Sequence, residues 1–205
     1  RDLTIPAGST LTIEPSVTAT FVNTGTNLVI NGKLVADGAL GTEITLTSGG
    51  TWDGLYMNTT ADITSVIDYC IIEKASYGIY LYKNLSVTNC TVRNNLNRGI
   101  YVYNCSPVIN GCTIQNNTYE NGIYVYFYDA NVNGITITNN TITGNGDGTD
   151  NDGGIFMYAL HDQWTGTSYT VSNATYPINI SGNTISSNNR NGIYMYNYRS
   201  TGGGG

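Results

Sequence analysis

Charge is what this 205-residue sequence has least of: Asp, Glu, Lys and Arg make up 11% of it, against roughly a quarter in an average soluble domain. The eight Lys and Arg are scattered, and the net charge is −6. A nucleic-acid surface needs clustered cations to displace counterions, so no nucleic-acid partner is expected. One histidine and four cysteines without a CxxC pair exclude a zinc site. No apolar run approaches the ~18 residues of a bilayer-spanning helix, so no membrane span is expected. Helical periodicity is missing too, since no stretch of about a dozen residues shows an apolar stripe at 3.6-residue spacing. The sequence opens at Arg1, without methionine or a signal-like segment, and closes in TGGGG. It reads as an excised or processed piece of a longer chain, with one domain over residues 1–200 and a glycine linker or tail at 201–205.

Asn, Thr, Gly and Tyr fill the space, with 27, 29, 25 and 17 copies. Aromatics at that frequency separate the chain from disordered sequences. GIYVYNC at residue 99 returns as GIYLYKN at 78, GIYVYFY at 122, GIFMYAL at 154 and GIYMYNY at 192, and WDGLYM brings Gly54 into the series. The glycines at 54, 78, 99, 122, 154 and 192 are spaced by 24, 21, 23, 32 and 38 residues. Internal periods of about 20–25 residues mark a solenoid. A second pattern precedes the glycines: YCII, NCTV, GCTI, NNTI and GNTI, from residues 69, 89, 111, 139 and 182. The two long spacings read as ordinary coils carrying insertions, GDGTDND and HDQWTGTSYTVSNAT.

Inside each repeat the period is two. Ile100 and Val102 alternate with Tyr101 and Tyr103, and Asn-Gly and Asn-Asn pairs break the runs, which is strand patterning. Short strands recurring every ~22 residues stack turn on turn, and parallel crossovers are right-handed. The expected fold is all-β, a right-handed parallel β-helix of roughly eight turns with two loop insertions. LTIPAGSTLTIEP and LVINGKLVADG align as the opening turns, with Leu3 over Leu28 and Leu11 over Leu34. This opening, followed by ITLTS and WDG, resembles the N-terminal turns of secreted right-handed β-helix repeat proteins, and the NxTI…NGIYxY turns resemble that family's generic repeat. The resemblance implies fold rather than function, because the family spans polysaccharide lyases, hydrolases, epimerases, adhesins and phage fibres.

Stacking places equivalent residues ~4.8 Å apart. Leu55, Ile79, Ile100, Ile123, Ile155 and Ile193 form one inward column, and Met57, Leu81, Val102, Val125, Met157 and Met195 another. The glycine before each strand supplies either a positive φ or close backbone contact. Asn95, Asn117, Asn145 and Asn188 form a ladder at a turn that suits left-handed backbone. Cys70, Cys90 and Cys112 share a column continued by Asn140 and Asn183, and Cys105 belongs to another, which favours free thiols; the even total of four leaves disulfides open.

The candidate binding surface is the outer face. Tyr56, Tyr80, Tyr101, Tyr124, Phe156 and Tyr194 form one aromatic column, and Tyr82, Tyr103, Tyr126, Tyr158 and Tyr196 a second. Two exposed aromatic columns suit contact with protein or glycan, while stacked rings also serve to hold neighbouring turns together. Asp147, Asp150 and Asp152 in GNGDGTDNDGG alternate like a calcium loop; Asp152 stands where an EF-hand has its bend glycine. Calcium is the one cofactor considered, and otherwise none is expected.

Catalytic acids are scattered over different offsets, and the NTD, GHG and RIK motifs of pectin hydrolases are absent. Arg93 and Arg98 near Asp68 and Glu73 make the one basic–acidic grouping. The expectation is therefore an extracellular or cell-surface structural or adhesive module and not an enzyme. The alternatives are a filament subunit associating head to tail, because apolar strand pattern runs from Leu3 to Met195 without a cap, and a polysaccharide lyase or hydrolase using His161, Asp162 and the acidic loop. Eight sequons, at Asn58, Asn84, Asn89, Asn104, Asn116, Asn139, Asn173 and Asn179, offer glycosylation sites if the source modifies secreted proteins.

Overall fold

The computed structural model describes residues 2–127, 134–149, 152–160, 162–164, 169–171 and 177–198. Every regular element among them is a strand, and the strands pair in parallel except in one hairpin, with one isolated antiparallel bridge between Ala39 and Thr42. The first sheet takes eight strands in chain order: Leu3–Ile5, Asn27–Ile30, Gly54–Met57, Ile79–Leu81, Ile100–Tyr103, Asn121–Phe127, Gly153–Leu160 and Asn191–Tyr198. The second takes seven: Thr10–Ile13, Lys33–Asp37, Val66–Asp68, Ser86–Thr88, Val108–Asn110, Ile135–Thr138 and Ile178–Ser181. The third also takes seven: Thr18–Phe21, Ile44–Ser48, Cys70–Glu73, Thr91–Arg93, Thr113–Gln115, Thr141–Thr143 and Thr184–Ser186. Each coil gives one strand to each sheet in turn, so the chain is a right-handed parallel β-helix.

The register follows the sequence columns. Leu3 pairs with Leu28, Leu11 with Leu34, and Ile79, Ile100, Ile123, Ile155 and Ile193 stack in succession from Leu55. Both inward columns are fully buried through Ile155 and Met157, each side chain contributing roughly 1.5–3 kcal/mol. At the end coils the same columns open to solvent, with Leu3 52%, Ile193 45% and Met195 55% exposed.

Corners explain the asparagines. The short third-sheet strands are flanked by two columns of left-handed backbone. Tyr69, Asn89, Gly111, Asn139 and Gly182 form the first, and Lys74, Asn94, Asn116, Gly144 and Ser187 the second. Asn recurs there because its short polar side chain tolerates positive φ. The left-handed residue is thus the one before the ladder, a correction to the expectation for Asn95 and its equivalents. The ladder asparagines themselves point inward, and Asn95, Asn117 and Asn145 are wholly buried. Asn95 Nδ2 donates to Asn117 Oδ1 at 2.9 Å, Asn117 Nδ2 to Asn145 Oδ1 at 2.8 Å, and Asn145 Nδ2 to Asn188 Oδ1 at 2.9 Å. Each accepting oxygen also takes the main-chain N–H of the donating residue.

The repeat glycines pack against that ladder. A Cβ on Gly99 would lie 2.6 Å from the Gly122 carbonyl oxygen and 2.7 Å from Asn117 Nδ2. Gly122 meets Asn145 Nδ2 at 2.8 Å in the same way. Close approach therefore demands glycine at 78, 99, 122 and 154, whereas positive φ applies at Gly54.

The column of Cys70, Cys90 and Cys112 is continued by Asn140 and Asn183 as expected. Cys112 N–H donates to Asn140 Oδ1 at 2.8 Å, and Asn140 Nδ2 to Asn183 Oδ1 at 2.9 Å. All four cysteines are free and buried, and burial pushes the Cys105 thiol up to about 12, the reverse of an activated nucleophile.

The insertions differ from the expectation in one respect. The 32-residue repeat divides its extra length between two corners, one after Phe127 and the other around 146–152. The last insertion forms an antiparallel hairpin of Asp162–Trp164 with Tyr169–Val171. Residues 201–205, assigned to a tail, lie outside the described residues.

Asn117→Ala removes the amide that links three coils and strands buried partners, each costing roughly 1–3 kcal/mol. Urea unfolding is expected to show a loss of about 3 kcal/mol or more, with Gly99→Ala at least as damaging. A loss below about 1 kcal/mol for both would show that the corner relaxes freely.

The tyrosine face as candidate contact site

In the first sheet the outward positions alternate with the buried columns, and parallel stacking carries each ring onto the next. Tyr56, Tyr80, Tyr101, Tyr124, Phe156 and Tyr194 run in unbroken contact, with ring centroids 4.9–5.7 Å apart. Tyr82, Tyr103, Tyr126, Tyr158 and Tyr196 do the same at 5.2–5.4 Å. The structure thus brings together all eleven aromatic residues singled out in the sequence. Phe156 is buried, Tyr196 is exposed, and the other rings are half-buried against one another. Burial raises the Tyr101 phenol to about 12 despite the nearby Arg98, and raises those of Tyr80, Tyr82 and Tyr124 as well. These hydroxyls stay protonated and can both donate and accept.

Residues that precede each repeat glycine flank the rings. Asp53, Tyr77 and Arg98 occupy successive coils there, and period-two reasoning did not place them beside the rings because they lie outside the alternation. Their position before the glycine was the available signal. Arg98 lies 3.8 Å over the Tyr124 ring and 5.0 Å over Tyr101, and it pairs with Glu120. Below it, an open trough of about 440 Å³ is lined by Asn27, Asp53, Tyr56, Ser76, Tyr77, Tyr80, Tyr82 and Asn97.

Residues 8–175 match the family described as right handed beta helix region. The chain belongs to the right-handed β-helix family. No curated protein and no solved structure matches it.

In this β-helix the two acids of the basic–acidic grouping, Glu73 and Asp68, are already engaged. Arg93 Nε donates to Glu73 Oε2 at 2.9 Å, while Arg98 turns to Glu120, away from the grouping with Asp68. Asp68 accepts from Thr88 and Asn89 at 2.7 and 2.9 Å. His161 lies outside the described residues. In the candidate calcium loop, Asp147 Oδ1 accepts from Thr149 N–H and Oγ1 at 2.9 and 2.7 Å, and Asp152 Oδ2 accepts from Thr149 Oγ1 at 3.2 Å. Asp150 lies outside the described residues. No three His, Cys, Asp or Glu side chains converge as a metal site among those described. Of the sequons, Asn84, Asn89, Asn116, Asn139 and Asn179 are exposed, Asn58 and Asn104 are half-buried, and Asn173 is outside the described residues.

Burial pushes the Asp152 carboxyl up to about 6, and the adjacent Asp147 carboxylate adds to the effect. The native state therefore binds this proton more tightly than the unfolded chain. The stability it contributes is full below about pH 4 and is lost as pH rises through about 6. Thermal melts of wild type and Asp152→Asn are expected to diverge between pH 4 and 7, with the variant relatively more stable at pH 7. A pH-independent difference would contradict this.

Proposed function

We propose that this β-helix is a non-catalytic module of an extracellular or cell-surface protein that contacts glycan through its tyrosine face. One observation carries the reading: the rings are confined to one of three sheets that stack equally well. On the third sheet the equivalent outer column holds Thr18, Thr45, Ile71, Thr91, Thr113, Thr141 and Thr184, with no aromatic among them. Holding coils together therefore does not require aromatics, and their concentration on one face calls for another cause. Flat rings carrying protonated hydroxyls present apolar area and hydrogen-bonding groups to a sugar's C–H face and hydroxyls.

The test replaces Tyr101, Tyr103, Tyr124 and Tyr126 by Thr and follows retention on immobilised polysaccharides beside far-UV circular dichroism. Lost retention with intact strand signal is expected. Unchanged retention with only a lower melting temperature would reduce the rings to stabilisers, since each pair is worth ~0.5–1.5 kcal/mol.

End-to-end association of copies into a filament is a second reading, favoured by the exposed inner-face residues Leu3, Ile193 and Met195. Sedimentation is expected to show concentration-dependent growth that Met195→Lys abolishes. A wild-type monomer at every concentration would remove this reading.

A further inference from the structure

The trough beside Tyr56 and Tyr80 has a chemistry that goes past general stickiness. Its rim is fixed by the backbone: Asp53 N–H bonds to the Thr26 carbonyl at 2.9 Å, Tyr77 N–H to the Asp53 carbonyl at 3.1 Å, and Asn97 N–H to the Ser76 carbonyl at 2.8 Å. The side chains on that rim are left largely uncommitted. Asp53 accepts one long bond, from Ser76 Oγ at 3.4 Å, and the Asn97 amide makes none among the described residues. The rings of Tyr56, Tyr80 and Tyr82 line the same trough. It thus joins aromatic rings with acceptors and donors carried on a hydrogen-bonded backbone, within the size range of ligand sites.

Charge narrows the ligand. Asp53 is the one charged side chain lining the trough. The nearest cation along that column, Arg98, pairs with Glu120 and lies over the rings of Tyr77, Tyr101 and Tyr124, with its Nε buried. A carboxylate or sulfate entering here would meet the Asp53 carboxylate on a chain of net charge −6, with no cation among the lining residues to receive it. A neutral sugar meets an acceptor for its hydroxyls and an apolar platform for its ring.

We propose that this trough is a subsite for a neutral pyranose, seated with its C–H face on Tyr56 and Tyr80 and its hydroxyls toward Asp53, Ser76 and Asn97. The proposal rests on the glycan reading of the tyrosine face and assigns its ligand class and the residues that select it.

The experiment is calorimetric titration of the whole chain with neutral hexamers (β-glucan, mannan, galactan and xylan) and with a galacturonate hexamer. Asp53→Ala and Asn97→Ala are compared with the four-tyrosine variant above, and all are checked by thermal melting. At least one neutral hexamer is expected to bind, with the galacturonate at least about tenfold weaker. Each rim substitution should weaken the neutral ligand by about fivefold or more, as for one lost hydrogen bond. If the four-tyrosine variant loses binding while both rim variants bind as wild type, the trough is not the subsite and the face reading survives. Galacturonate binding as tight as neutral binding would overturn the ligand class. Binding by none of these glycans would overturn both.

Discussion

The contact between each repeat glycine and the asparagine amide of the neighbouring coil is the constraint on which the rest depends. Gly78, Gly99, Gly122 and Gly154 each sit where a methyl group would collide with an Asn Nδ2 and with the next glycine's carbonyl. That closeness lets the third sheet hand over to the first in one tight corner. It also fixes the register of the following strand, because a one-residue slip would turn every side chain to the other face. The ladder is buried, its amides bond to one another across adjacent coils, and these bonds couple three coils at a time.

Once register is fixed, the two faces of the first sheet acquire separate roles. The inward columns supply the apolar burial that opposes chain entropy. The outward columns are released from that task, as the threonines of the third sheet show. Placing tyrosine there costs phenols part of their hydration, seen in the raised titration of Tyr80, Tyr82 and Tyr101, and yields a continuous surface of rings. A repeat fold thereby converts one recurring tyrosine pair into a strip, and a single departure at Asp53, Tyr77 and Arg98 into a local site.

The departures from regularity are as informative as the repeats. Where Cys gives way to Asn at 140, the column keeps its function, since Sγ of Cys90 and Oδ1 of Asn140 each accept a main-chain N–H from the coil before. Where extra residues enter, they enter at corners and leave Ile155 and Ile193 in register. Arg98 departs differently: it lays a cation, paired with Glu120, over the rings of Tyr77, Tyr101 and Tyr124.

Periodicity in the sequence was sufficient for the coil, its columns, the buried faces and the eleven stacked rings, because a side-chain period of two and a repeat near 22 residues determine which residues lie above one another. Tertiary structure alone decided which asparagine turns left-handed and which turns inward, since Asn94 and Asn95 are alike in composition and differ only in backbone. It also decided that glycine serves close approach at most repeats, and that Arg98 chooses Glu120 over the acids nearer in sequence pattern. The trough is of the same kind. Asp53, Ser76 and Asn97 belong to three coils and share no local motif, so their convergence on Tyr56 and Tyr80 follows from stacking distance and from nothing that a single repeat encodes.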